Sequence, residues 1–111
     1  MSAININLIM EQGSDYEVDF TIRNDDGSAL NLTGYTAESV AKKHSSSITS
    51  YPFSVTFDDR VAGEISVSMA STTTGTMSEG RYMYDVVLTS PSSAKSRVIQ
   101  GNLLVNPGVT L

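Results

Sequence analysis

The chain has 111 residues, enough for one domain with a modest core, since 40% of it is hydrophobic. Its net charge is −5, from 7 Lys+Arg against 12 Asp+Glu, which excludes a protein that wraps nucleic-acid phosphate through a basic surface. It has no cysteine, which rules out a disulfide framework or a thiolate metal site.

In chain order, Ile4, Ile6 and Leu8 alternate with Asn5 and Asn7 and predict a first strand over 4–10. Residues 15–23 give the cleanest alternation, with Tyr16, Val18, Phe20 and Ile22 inward and Glu17, Asp19, Thr21 and Arg23 toward water. Asn24-Asp25-Asp26-Gly27 is a tight turn, and Leu30 and Leu32 mark a brief return. A strand over 35–43 has Ala37, Ser39 and Ala41 on one face and Thr36, Glu38, Val40 and Lys42 on the other, so the pattern leaves its inward face open. Phe53-Val55-Phe57 and Ile65-Val67-Met69 read as two further strands around the turn at 58–63. Ser71-Thr72-Thr73-Thr74 predicts one helical turn ended by Gly75.

Tyr82, Tyr84, Val86 and Leu88 then form a strand opened by Gly80 and closed by Ser90-Pro91. A last strand covers 96–105, with Gly101 marking a possible bulge. The fold class expected is all-β: a single Ig-like antiparallel β-sandwich of about seven strands, with residues 1–111 as one domain. No segment provides a helical crossover, so a parallel sheet is not expected.

The search for chemistry finds no catalytic, cofactor or metal site. His44 is the only histidine and sits in a polar loop, whereas zinc needs three or four convergent ligands. Calcium would need two of the acidic turns, Asp25-Asp26, Asp58-Asp59 or Glu11 with Asp15, to meet at one end of the domain. There is no Gly-x-Ser-x-Gly, and the isolated glycines make no phosphate loop. Asp85 is the one charge in an apolar stretch and reads as an outward residue of a half-exposed strand. Asn31-Leu32-Thr33 matches a glycosylation sequon, but Met1 to Asn5 lacks the basic start of a secretory signal. No apolar run approaches the ~20 residues of a membrane helix, and the expected place of synthesis is a cytoplasm. Of the tyrosines, Tyr35 and Tyr51 are the candidates for stacking on a glycan, giving a carbohydrate-binding module as one reading. Ile4, Ile6, Leu8, Leu103 and Val105 lie near the chain ends and are candidate docking strands, whose edges a partner or a second copy of the chain could pair.

Three segments carry a resemblance. They are Gln12-Gly13-Ser14-Asp15-Tyr16, then Leu30-Asn31-Leu32-Thr33-Gly34-Tyr35-Thr36-Ala37, then Gly80-Arg81-Tyr82-Met83-Tyr84-Asp85-Val86 with Arg97-Val98-Ile99-Gln100-Gly101. In this order they resemble small β-sandwich virion proteins of tailed bacteriophages, in particular the N-terminal module of upper baseplate proteins. The resemblance implies a non-enzymatic structural protein, made in a host bacterium and docked onto other virion proteins. A tail, baseplate or fibre adaptor is the first expectation and a capsid decoration protein on the head the second.

Overall fold

The structure is a computed structural model that describes residues 3–44 and 46–109. It is mostly strand. The elements are β1 (Ile4–Asn5), β2 (Leu8–Glu11), β3 (Tyr16–Thr21), β4 (Thr36–Lys42), β5 (Tyr51–Asp59), β6 (Glu64–Met69), α1 (Ser71–Thr74), β7 (Gly80–Thr89) and β8 (Lys95–Asn106). Alternation places the core as expected. Tyr82, Tyr84, Val86 and Leu88 are all buried, as are Phe20, Phe53, Ile65, Val67 and Met69, in one contiguous cluster. Each such side chain contributes roughly 1.5–3 kcal/mol.

β4 resolves its open face. Ser39 and Ala41 point inward, and Glu38 and Lys42 outward. Small residues suit that row because its neighbours bring large ones: Phe53 and Val86 flank Ser39, and Tyr51 and Tyr84 flank Ala41. Ser39 Oγ donates to the Asp85 carbonyl at 2.6 Å, so its buried hydroxyl is satisfied. The helical turn forms at 71–74, where Thr74 Oγ1 donates to the Ser14 carbonyl at 2.7 Å and Asp15 Oδ1 accepts the Ser71 N–H. The brief return at 28–32 is not a strand but an isolated Arg23–Ala29 bridge. Its loop is held by Arg60, whose guanidinium donates to the carbonyls of Leu32 and Tyr35 and stacks on Phe57.

Two features depart from the expected sandwich. The strands form one continuous, strongly curled sheet, a half-barrel in the order β1-β8-β7-β4-β5-β6-β3, with β2 beside β8. β5 joins the halves, because Tyr51–Phe53 pair with β4 and Ser54–Asp59 pair with β6. Alternation shows which side chains face the core; it does not show whether facing strands share one hydrogen-bonded sheet.

The sheet is also mixed: β1 and β2 pair with β8 in parallel. A parallel pair needs a long connection, and here the rest of the domain supplies it without a crossover helix. β8 therefore has neighbours on both sides, so Leu103 and Val105 lie on an interior strand with side chains fully buried. The edge is β1/β2.

The predicted strand over 4–10 is broken at Ile6–Asn7, although register with β8 is the same on both sides of the break. Gly101 explains it. A Cβ there would lie 2.1 Å from the Ile6 carbonyl oxygen, so only glycine admits that carbonyl. The recessed oxygen accepts the Tyr84 hydroxyl at 2.5 Å. The bulge expected at Gly101 lies instead at Val98, the residue skipped where Val86 pairs with Ile99 and Val87 with Arg97. Gly101→Ala is expected to cost about 1–3 kcal/mol in urea unfolding, as overpacking does, and to speed hydrogen exchange at the Ile6 amide. An unchanged Ile6 exchange rate would mean that the strand does not cross Gly101.

Candidate functional site

A groove of about 740 Å³ lies on the outer face of β4, β7, β8 and β1. One wall is amide-rich: Asn5 beside Gln100 by register, and Asn7 beside Asn102. Asn7 reaches the groove because the chain breaks at Ile6, and its Oδ1 accepts the Asn102 backbone N–H at 3.1 Å. The opposite wall is Val40 and Lys42 of β4. Between them stand the half-exposed Met83 and an Asp85–Arg97 ion pair across β7 and β8, with Arg97 Nε 3.0 Å from Asp85 Oδ2. Asp85 thus faces outward, on the solvent side of its strand.

A second, smaller cleft of about 140 Å³ opens on the other side of β1. Ile4 and Ile6 line it with Phe20, Ile22, Val98 and Ile99, so it lies between the β1 edge and the chain at β3. Residues 4–7 therefore alternate between two depressions, apolar side chains toward the cleft and amides toward the groove.

The residues singled out from sequence do not gather at one place. Ile4 is 53% exposed, Ile6 is half-buried and Leu8 is buried with Leu103 and Val105. Tyr35 and Tyr51 stand at opposite ends of β4, roughly 20 Å apart along the strand. Both are half-buried against the core, and Tyr51 meets the Tyr82 ring edge-on, so they make no shared platform. The acidic turns are occupied locally. Asp26 Oδ1 accepts both the Oγ and the backbone N–H of Ser28, which hold its carboxyl below the usual range. Asp59 accepts the Ala62 N–H. Asp19 and Asp58 both contact the Ser66 hydroxyl. Among the described residues no three His, Cys, Asp or Glu side chains are grouped to hold a metal ion. No helix among them is long and apolar enough to cross a membrane.

The sequence assigns no site role to Asn5, Asn7, Gln100 or Asn102. Their signal was present in the polar half of the same alternation that marks Ile4, Ile6 and Leu8.

No protein-family model matches the chain, and no curated protein does. Among solved structures, the chain is similar to a Listeria monocytogenes internalin-like protein, at 12% identity and a TM-score of 0.44. The match covers 96% of this chain and 28% of that one.

Tyr84 ties the groove to the core. Burial, and after it the charge of Tyr16, pushes the Tyr84 phenol from 10.0 up to about 12. The folded state keeps a proton that the unfolded chain gives up near pH 10, so this contribution to stability is complete below pH 10 and is lost as pH rises toward 12. Tyr84→Phe is expected to cost about 1 kcal/mol at neutral pH, by leaving the Ile6 carbonyl without that donor. Denaturant unfolding over a pH series should show a shallower alkaline loss in the variant than in the parent chain. Equal alkaline slopes would contradict the assignment.

Proposed function

We propose that this chain is a non-enzymatic structural protein of a tailed-phage virion that docks onto other virion proteins, as an adaptor in the tail, baseplate or fibre. The sequence resemblance supports this, and one structural observation carries the docking mode: the open edge of β1/β2 beside an apolar cleft. The N–H groups of Ile6 and Gln12 donate to the carbonyls of Gln100 and Asn106 on β8. Strand alternation then turns the N–H groups of Asn5, Ile9 and Glu11 away from the sheet. A partner strand can pair with that row while one of its apolar side chains enters the cleft lined by Ile4, Ile6 and Phe20.

This reading places docking in the backbone of β1/β2 and in Ile4 and Ile6. Leu8, Leu103 and Val105 hold the edge from within the core. The Ig-like sandwich belongs to the same proposal. It rests on the two halves of the curled sheet facing each other, with Phe53 meeting Tyr84 on one side and Tyr16 on the other. The proposed localisation is the virion, after synthesis in a host bacterial cytoplasm. A head-decoration role would use the same edge and differs in copy number.

Ile9→Pro tests the docking mode. Ile9 is 63% exposed, and its N–H points away from β8, so proline blocks the edge without removing a ladder bond. The variant is expected to keep its circular dichroism spectrum and to disappear from purified particles, whereas the parent chain co-purifies in proportion to tail proteins. Proportion to the major capsid protein would favour head decoration. Absence of the parent chain from particles would end the virion reading.

A further inference from the structure

The groove on the outer face presents several hydrogen-bonding groups, of which Asn7 and the Asp85–Arg97 pair are held in place by hydrogen bonds. Asn7 is anchored through Oδ1, which leaves its Nδ2 as a donor to the groove. Arg97 uses only Nε on Asp85 Oδ2; among the described residues its two Nη groups and Asp85 Oδ1 make no other side-chain hydrogen bond. Asn5 and Gln100 add two carboxamides side by side. Met83, 49% exposed, offers an apolar surface between the polar walls.

A sugar hydroxyl both donates and accepts. Carboxamides meet both demands, and so does an Arg–Asp pair taken together. Lys42 and Arg97 against Asp85 leave the groove with excess positive charge on a chain of net −5, which selects an anion. The groove lies on the face of the sheet, where the main-chain groups of β4, β7 and β8 are paired in plane, so an extended peptide would find no ladder there.

We propose that this groove binds a short acidic oligosaccharide, with a sugar carboxylate on the Nη fork of Arg97 and ring hydroxyls on Asn5, Asn7 and Gln100. The site does not depend on the virion reading and replaces Tyr35 and Tyr51 as the place of glycan contact.

Titration of the isotope-labelled chain with trigalacturonate, followed by the side-chain carboxamide signals in NMR, tests it. Signals of Asn5, Asn7 and Gln100 are expected to shift saturably, and maltotriose, the neutral comparison, to bind more weakly. Arg97→Ala removes an exposed ion pair and so should leave the spectrum of a folded protein, yet weaken trigalacturonate about tenfold, the loss of one charge-assisted contact. No shift with trigalacturonate would overturn the site. Equal affinity for maltotriose would overturn the role of Arg97, and equal affinity for triglutamate would overturn the sugar as ligand.

Discussion

The recess of one carbonyl group, that of Ile6, organises the functional side of this molecule. Glycine at position 101 opens the space, and the Tyr84 hydroxyl supplies the donor that makes burial of that oxygen favourable. With the oxygen held there, the first strand lies parallel along β8 and breaks for two residues. The break carries Asn7 to the Asn102 amide, and the parallel course leaves the far side of β1/β2 without a strand beside it. The amide wall of the groove thus follows from that recess, and the open edge from the end position of β1/β2.

The interior and exterior of the sheet do different work. Inside, Tyr16, Phe53 and Tyr84 form one run of ring contacts and Tyr51 with Tyr82 another. They fill the space that Ser39 and Ala41 leave on β4 and fix the curl of the sheet. Outside, the segment 4–7 divides apolar from polar: Ile4 and Ile6 face the cleft, and Asn5 and Asn7 face the groove. The proposals made for it, strand pairing at the edge and sugar binding in the groove, use different faces of the same few residues and need not exclude one another.

Much of this was legible in the sequence, and the limits have physical reasons. Period-two alternation identified the core residues on β3, β6 and β7, because burial on one face demands it. The helical turn at Ser71–Thr74 was legible where the alternation stops, in the run of serine and threonines, and it is tied down by Ser14 and Asp15 from far along the chain. Alternation did not reveal that β5 leaves one half of the sheet for the other, since pairing partners leave no trace in a strand's own pattern. The parallel placement of β1 and β2 was hidden for the same reason, and Leu103 and Val105 were consequently assigned to an edge. Gly101 was noticed as an interruption, but its role depends on a residue 95 positions away along the ladder and on Tyr84 beside it. The amide wall was not legible because alternation marks which face is wet and not which strands bring their polar residues together there.

The parallel course of the N-terminal strand along β8 is the feature on which the amide wall and the docking edge depend. The direct measurement is the scalar coupling transmitted through a hydrogen bond, from the Ile6 amide nitrogen to the Gln100 carbonyl carbon, whose donor and acceptor atoms lie 2.9 Å apart. A resolved coupling between these two nuclei is the expected result. Its absence, with Ile6 instead coupled to another strand, would contradict the placement of β1 and every surface feature derived from it.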